Sequence, residues 1–249
     1  MKTISLINKK GGVGKTTITV NLAYAFAESC DLRVLVVDND DQGNATQFFG
    51  ARAESGLADV LTGADIRACL SKTRYPLIDL LPSDERLLEA NMAVIKDETI
   101  VQQSILKDAL QSIDEMYDIC LIDNPPSINA SVINALVASD EVIIVTTPDM
   151  YGLRGVEQMM TYINAIQAGY NPQLRFRGCL LNKFSMTPHG FKILAKLRKD
   201  IPLFRSRIRY TKDKPEAAAE EQQAIFEYSP NCGFSCDLVK FLRELMEGM

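Results

Sequence analysis

The chain has 249 residues, of which 47% are apolar, and its formal net charge is −5. This length allows one large α/β domain or two small ones, and the composition excludes a disordered chain. The acidic balance excludes a molecule that is basic throughout, so any binding of nucleic acid must come from a local patch. No apolar stretch is long enough to span a bilayer, and the N-terminal apolar run is too short for a signal peptide, which predicts a cytoplasmic protein.

Short apolar runs rich in β-branched residues alternate with longer amphipathic segments along the chain. Strands are predicted at Ile4–Ile7, Val34–Val37, Leu77–Leu81, Ile119–Ile122, Val142–Thr146, Arg177–Leu181 and Leu203–Ile208. Helices are predicted at Lys15–Glu28, Ser83–Ala93, Ile100–Met116, Ser127–Ser139, Gly152–Ala168, Pro188–Lys199 and Asp237–Met246, with a short one between Gly56 and Gly63. The alternation predicts an α/β fold, a mostly parallel twisted sheet flanked by helices on both faces, in a single domain over residues 1–249.

The first predicted strand leads into NKKGGVGKTT at residues 8–17, and the first helix follows. Glycines let the backbone turn its N–H groups toward phosphate oxygens, and the start of a helix adds the positive end of its dipole. We therefore expect Lys15 to reach the β and γ phosphates of a nucleotide and Thr16 to place its hydroxyl on Mg²⁺. The expected contact residues are Gly11, Gly12, Val13, Gly14, Lys15, Thr16 and Thr17. The usual pattern has a glycine where this chain has Lys9, and Lys10 follows it.

Four segments resemble the ParA/MinD family of deviant Walker A ATPases, and the ParA branch most of all. They are KGGVGKTT at 10–17, VVDNDDQGNAT at 36–46 (switch I), YDICLIDNPPS at 117–127 (Walker B and switch II) and TPDMYGLRG at 147–155. The resemblance implies a P-loop NTPase fold, ATP and Mg²⁺ as cofactors, and a homodimer that closes face to face around two ATP molecules. In that dimer Lys10 is the signature lysine, which crosses to the nucleotide of the other subunit and stabilises the transferring phosphoryl group. Lys9 is expected to be a solvated loop lysine.

Acidic residues in these segments are the candidate catalytic and metal-binding groups. The resemblance implies that Asp40 orients or activates the attacking water and that Asp123 holds Mg²⁺ directly or through water. Asp38 either supports the metal shell or the Thr16 region, or is a turn carboxylate, and both interpretations stay open. Asp41 stands where the family usually has proline and Asn124 where it often has a small residue. The change at Asp41 concerns the hydrolysis rate more than nucleotide binding.

The segment NKFS at 182–185 is similar to the N-K-x-D motif with which GTPases recognise guanine, but Ser185 replaces the aspartate. Without that carboxylate the N–H groups of a guanine ring lose their acceptor, which favours adenine. Asn182 is either a contact to the base or a simple turn residue, and both interpretations stay open.

Basic residues concentrate between Lys192 and Lys214, where nine of them face two acidic ones. Such a local excess is typical of a surface that binds phosphates, although a solvated cationic surface is the alternative. The candidate DNA contacts are Arg205, Arg207 and Arg209, which alternate along an extended segment, and Lys212 and Lys214. The resemblance to ParA proteins implies that the ATP-bound dimer binds DNA nonspecifically and so associates with the nucleoid. It also implies a ParB-like centromere-binding partner that stimulates hydrolysis, in a cycle that segregates a plasmid, chromosome or mobile element. We expect no N-terminal helix-turn-helix extension, and hence no sequence-specific operator binding.

Three other functions compete with this interpretation. A MinD-like membrane-associated positioning ATPase needs a basic amphipathic C-terminal helix, but three acids face two bases between Asp237 and Glu247, so no membrane partner is expected. An iron protein of the nitrogenase type needs paired cluster cysteines, whereas Cys120 and Cys179 lie inside predicted strands. A module that binds ATP without hydrolysing it is the third alternative, because of Asp41.

Overall fold

The computed structural model describes residues 1–51, 54–97 and 101–248, and its strands form one eight-stranded sheet. The strands are β1 (Lys2–Ile7), β2 (Val34–Asp38), β3 (Ser71–Lys72), β4 (Ile78–Leu81), β5 (Ile119–Asp123), β6 (Glu141–Thr146), β7 (Arg175–Phe184) and β8 (Leu203–Arg209). They lie in the order β3–β4–β2–β5–β1–β6–β7–β8, and only β3 runs antiparallel to its neighbour. The carboxyl ends of β1, β2 and β5 therefore meet at one edge in the middle of the sheet.

Helices connect the strands and cover both faces of the sheet. They are α1 (Lys15–Cys30), α2 (Asn44–Phe48), α3 (Leu57–Leu61), α4 (Ile66–Cys69), α5 (Arg86–Lys96), α6 (Ile105–Gln111), α7 (Ala130–Ala138), α8 (Met150–Gly169), α9 (Pro188–Asp200), α10 (Lys214–Glu220), α11 (Ile225–Tyr228) and α12 (Gly233–Met246), and a 3₁₀ turn covers Asp114–Met116. Side-chain caps fix the start of several of them: Asp149 accepts from the Gly152 N–H at the start of α8, and Thr187 accepts from the Gly190 N–H at the start of α9.

Alternate residues of the central strands face opposite layers of the core. In β2, Val34 and Val36 pack in a cluster with residues of α1 and α12, while Leu35 and Val37 pack with residues of α3, α5 and α6. All four side chains are fully buried. This is the pattern expected of a parallel strand that is covered on both faces.

The predicted fold class is confirmed, and the seven predicted strands are present. The sequence pattern failed for short elements: β3, α2, α4, α10 and α11 are additional, and each has seven residues or fewer. The predicted helix Ile100–Met116 is wrong in extent, because a helix covers only Ile105–Gln111 and a 3₁₀ turn follows it; Ile100 itself lies outside the described residues. The helix predicted from Ser83 begins at Arg86, because the Ser83 N–H instead donates to Thr46 Oγ1 at 2.9 Å. Within the described part of the chain, no helix is both long enough and apolar enough to cross a bilayer.

Candidate nucleotide-binding site

The loop between β1 and α1 turns through two glycines with left-handed backbones. Gly12 has φ 71° and Gly14 has φ 90°, conformations that side chains with a Cβ rarely adopt. A Cβ on Gly14 would also collide with Asn182 Nδ2, whereas one on Gly11 or Gly12 would meet no atom within 4 Å. The loop therefore presents an open concave backbone at the N-terminus of a 16-residue helix, the arrangement that binds phosphate.

Lys15 begins α1 and lies almost entirely inside the protein, at 7% exposure. Within the described part of the chain, its ammonium donates one hydrogen bond, to the Asn8 carbonyl oxygen at 3.3 Å. Burial lowers the pKa of Lys15, and the nearby carboxylates of Asp123 and Asp40 oppose that shift. The ammonium is thus held at the loop by one long hydrogen bond, with the charges of Asp123 and Asp40 nearby.

Asp123 ends β5 directly beside Asp38, which ends β2. Thr19 Oγ1 donates to Asp123 Oδ1 at 3.3 Å, whereas Oδ2 is buried and has no hydrogen-bond partner among the described atoms. Burial raises the pKa of Asp123 to about 7, the neighbouring Asp38 adds to the shift, and the nearby Thr16 hydroxyl and the charge of Lys15 oppose it. A buried carboxylate oxygen with no donor is a feature that a cation would satisfy.

Asp38 is fully buried, and both of its oxygens accept hydrogen bonds from the chain itself. Oδ2 accepts from the N–H and the hydroxyl of Thr46, both at 2.7 Å, and Oδ1 accepts from the Asp40 N–H at 3.2 Å. Burial raises its pKa to about 6, although these hydrogen bonds oppose the shift. Asp38 therefore anchors the segment that carries Asp40 and the start of α2.

Asp40 is half-buried at the edge of a cavity of about 650 Å³ that lies over the loop. The cavity brings together the loop residues, Asp40, Asp41, Asn182 and, from switch II, Pro125 and Pro126. Lys183 of the NKFS segment lines the cavity too, and residues that the sequence patterns did not connect with the site complete its wall: Arg209, Tyr210, Thr211, Asp213, Pro215, Glu216 and Phe234. They come from the ends of β7 and β8 and from α10 and α12, which only the tertiary structure brings close.

Lys10 is held within its own subunit. Its ammonium donates to Asp149 Oδ2 at 2.6 Å and to Thr147 Oγ1 at 2.9 Å. Burial raises the pKa of Asp149, but hydrogen bonds from Lys10, Thr147 and the Gly152 N–H outweigh it, and the pKa falls to about 2. Sequence analysis placed Thr147 and Asp149 in a family-like segment without giving either a role. The helix-cap pattern Asp149–Gly152 was the available signal for the position of Asp149.

Lys9 is exposed, and its ammonium lies 5.4 Å from the centroid of the Tyr162 ring. A cation over an exposed aromatic ring stabilises a protein only weakly. Asn182 is 2% exposed, donates from Nδ2 to the Val13 carbonyl oxygen at 2.8 Å and lines the same cavity. The amide therefore packs directly against the phosphate loop, whichever of its two proposed roles it has.

The arginines of β8 are engaged by acids of α12 and its C-terminal end. Arg205 pairs with Glu244 at 3.5 Å and with Glu247 at 2.6 Å, and Arg209 pairs with Asp237 at 2.6 Å. Arg207 lies over the Phe184 ring, with 5.2 Å between Cζ and the centroid. Lys212 lies 4.0 Å from Asp213, and Lys214 donates to Ser229 Oγ at 2.9 Å. By contrast, the exposed cations of α9 form no ion pair with any described side chain; they are Lys192, Lys196, Arg198 and Lys199.

Comparisons with known proteins agree with this geometry. A family profile described as an AAA domain matches residues 1–176. Soj of Bacillus subtilis, a sporulation initiation inhibitor protein, is 36% identical over 203 residues, which cover 80% of this chain and 79% of Soj. The chromosome-partitioning ATPase Soj of Thermus thermophilus is 37% identical over 186 residues, which cover 74% of this chain and 70% of that protein. The structure of the septum site-determining protein MinD from Pyrococcus horikoshii, complexed with Mg-ADP, superposes with a TM-score of 0.80 at 25% identity and covers 98% of this chain and 95% of that one. The chain belongs to the ParA/MinD family of P-loop ATPases.

Proposed function

We propose that this protein is a ParA-type ATPase that closes into a dimer around two ATP molecules, binds DNA nonspecifically and drives the segregation of a DNA element. The observation that carries the nucleotide part is the pairing of two unsatisfied groups at one cavity. The buried Lys15 ammonium has a single long hydrogen bond, and the buried Asp123 Oδ2 has no donor among the described residues. A Mg²⁺–nucleotide complex supplies phosphate oxygens that would accept from the Lys15 ammonium and a cation that would bind Asp123 Oδ2.

The residues of the site fit Mg²⁺ as well as ATP. Asp123 and the Thr16 hydroxyl would hold the ion, which when bound would neutralise charge on the β and γ phosphates. Lys15 and the N–H groups of residues 11–17 would hold the phosphate chain in place. Asp40, at the cavity edge, would orient the attacking water, and Asp38 would keep Asp40 in position through its hydrogen bond to the Asp40 N–H. Asn182 packs on the loop where it would be able to contact the base.

Dimerisation is proposed from the position of Lys10 rather than from any contact seen within one chain. Its ammonium sits 2.6 Å from Asp149, on the same loop as Lys15 but directed toward α8 rather than held in the cavity wall. A cation that leaves Asp149 and crosses to a facing subunit would stabilise charge on that subunit's transferring phosphoryl group.

The proposed DNA surface is the basic segment between Lys192 and Lys214. The two elements of this segment, α9 and β8, differ in how many of their positive charges are free to contact phosphates. Acids neutralise Arg205 and Arg209 of β8, whereas the α9 cations are exposed and unpaired among the described side chains. Because nonspecific DNA affinity comes from phosphate neutralisation, α9 supports this part of the proposal better than β8 does. A ParB-like centromere-binding protein is the proposed partner that stimulates hydrolysis.

A MinD-like membrane function is not favoured by the position of α12. The apolar side chains of this helix are already buried against the domain, with Leu238, Phe241 and Leu245 at 0% exposure. The Phe241 ring contacts Phe204 of β8 edge to face, with 4.9 Å between centroids. A helix whose apolar face is used in the core has none left for a bilayer.

Phosphate release and sedimentation with ATP, Mg²⁺ and duplex DNA test the proposal. Lys15→Ala is expected to abolish ATP turnover, and Lys10→Ala to abolish ATP-dependent dimerisation and DNA retention. Lys9→Ala is the matched control on the same loop and is expected to behave as wild type. Wild-type turnover no higher than that of Lys15→Ala would refute the enzymatic claim. Dimerisation of Lys10→Ala at wild-type strength would refute the face-to-face dimer.

A further inference from the structure

Helix α5 has two apolar faces, and only one of them is used within the fold. Leu87, Ala90 and Val94 are buried and pack in the core. The opposite face carries Leu88 at 51%, Met92 at 63% and Ile95 at 61% exposure. These three residues follow the i, i+4, i+7 spacing and form a stripe about 10 Å long. Val101 is also exposed, at 70%, and the neighbouring Gln102 side chain donates to the Ile95 carbonyl oxygen.

Acidic groups border the N-terminal part of this stripe, which we call the α5 face, and the exposed Lys96 lies at its C-terminal end. Glu85 and Glu89 are exposed on the same helix. At its N-terminal end, Asp41, Asp84 and Glu85 line an open hollow of about 790 Å³. Arg86 lines that hollow too, but its guanidinium is engaged by Asp84 and Asp59 at 2.9 and 3.2 Å. Apolar side chains with an acidic border complement a helix that has an apolar face and basic flanks.

Hydrogen bonds connect the residue just before this helix to switch I and the middle of the helix to the helix that follows switch II. Just before α5, the Ser83 N–H donates to Thr46 Oγ1, and Thr46 donates to Asp38. In the middle of α5, Asn91 Oδ1 accepts from the Ser131 N–H at 2.7 Å, at the start of the helix that follows switch II. A protein bound to the α5 face would therefore press on an element that is linked to the end of switch I through Ser83 and to the helix after switch II through Asn91.

We propose that the α5 face is the docking surface for a regulatory partner that presents a basic amphipathic helix. The apolar side of that helix would cover Leu88, Met92 and Ile95, and one of its cations would enter the hollow beside Asp41 and Glu85. This inference rests on the proposed ATPase function only for its effect on turnover, since the docking itself needs no nucleotide. It also gives a role to Asp41, the position at which this chain departs from the family's usual proline.

Fluorescence anisotropy with a synthetic 18-residue helical peptide tests the proposal. The peptide carries leucines at i, i+3, i+4 and i+7 and lysines and arginines elsewhere, and a matched peptide has glutamate at every basic position. The basic peptide is expected to bind wild type, and to bind Met92→Gln/Ile95→Gln about tenfold more weakly, because an interface depends on its few apolar anchors. Tyr170→Gln, at another exposed apolar site (53%), is the control and is expected to bind as wild type. Glu85→Gln/Glu89→Gln is expected to weaken binding and to reduce its dependence on salt.

The outcomes separate this inference from the proposed function. Equal binding of the acidic peptide, unchanged binding to Met92→Gln/Ile95→Gln, or no binding to wild type would overturn the α5 face as a docking surface. A nucleotide-free wild-type dimer that Met92→Gln/Ile95→Gln converts to monomers would assign the stripe to a second copy of the chain instead, and would overturn it too. Peptide binding without any ATP turnover would support the docking surface and refute the proposed ATPase.

Discussion

The contact between Lys10 and Asp149 makes a sharp prediction about dimerisation. If Lys10 crosses to another subunit, it must first leave Asp149 and Thr147, which hold it at 2.6 and 2.9 Å. Asp149→Asn removes the charge of this partner but keeps a side-chain oxygen that can cap α8, because asparagine caps helices as well as aspartate does. We therefore expect the variant to release Lys10 and to form the ATP-bound dimer more readily than wild type.

The size of the effect follows from the exposure of the pair. The side chains of Lys10 and Asp149 are 33% and 37% exposed, so solvent screens the ion pair, and its contribution is about 1 kcal/mol rather than that of a fully buried pair. About 1 kcal/mol corresponds to about fivefold in an equilibrium constant. Because each dimer releases two such pairs, the dimerisation constant is expected to rise by about 25-fold.

Sedimentation velocity with a non-hydrolysable ATP analogue measures this constant. Asp65→Asn is a matched control, since Asp65 caps α4 through the Arg67 N–H without contacting Lys10. Dimerisation of Asp149→Asn that equals or falls below wild type would refute the idea that Asp149 competes for Lys10. A higher constant for Asp149→Asn with unchanged Asp65→Asn would support it.

The pKa of Asp149 fixes how this contact depends on pH. Its folded value of about 2 lies below the ordinary value of 3.8, so the stabilisation is fully present above about pH 4 and is lost as the pH falls toward 2. The difference between wild type and Asp149→Asn is therefore expected to stay constant from pH 6 to pH 9. A difference that changes across this range would mean that a group other than Asp149 holds Lys10.

Three further predictions concern the loop, the core and the DNA surface. Gly14→Ala is expected to cost about 1–2 kcal/mol of folding free energy, because an alanine there must adopt a left-handed backbone, and its Cβ would also displace Asn182. The variant is therefore expected to bind nucleotide more weakly in a fluorescent-ATP titration. Gly11→Ala, whose Cβ would lie in open space, is expected to retain nucleotide binding. Phe241→Ala, at a fully buried ring, is expected to lower the free energy of unfolding by about 3–5 kcal/mol in urea titrations. The third prediction concerns DNA and replaces the three α9 lysines, Lys192, Lys196 and Lys199, with glutamine. The slope of log affinity against log salt concentration is expected to become smaller by up to about 2.7, because each lost phosphate contact removes about 0.9. Arg205→Gln, at an arginine already paired with Glu247, is expected to change the slope little.

The regular part of the fold could be predicted because its signal is local. Buried parallel strands appear as short β-branched runs, and long helices have enough turns to display their period. Elements of a few residues, such as α2 and β3, have no such period, and their positions depend on partners far along the chain. Helix α7 illustrates the limit at a boundary: it was predicted from Ser127 but begins at Ala130, because Asn129 Oδ1 accepts from the Val132 N–H and sets the start.

The residues of the candidate site also differ in whether their signal in the sequence is local. Lys15 and Asp123 could be chosen as candidates from motifs, because the phosphate loop and the strand-ending acid are each encoded in one continuous segment. Asp149 could not be assigned a role, since it lies 139 positions from Lys10 along the chain. The pairing of Arg205 with Glu247 was equally invisible, and without it the alternating arginines of β8 looked like free cations.

Asn124 stands directly after the Walker B aspartate, where the family often has a small residue. The structure gives a reason for a larger side chain at this position. Asn124 Oδ1 accepts from Asn39 Nδ2 at 2.8 Å, and Asn124 Nδ2 donates to the Leu6 carbonyl oxygen at 3.1 Å. One buried amide thus joins the ends of β1, β2 and β5 directly beneath the nucleotide site. These hydrogen bonds tie together the strands that end at Asp38 and Asp123, which lie side by side in the register of β2 and β5. Asp38 and Asp123 are buried, whereas Lys10 is held by a partly exposed ion pair with Asp149 and a hydrogen bond to Thr147, so among these charges Lys10 is the one that can leave its partners at the lowest cost.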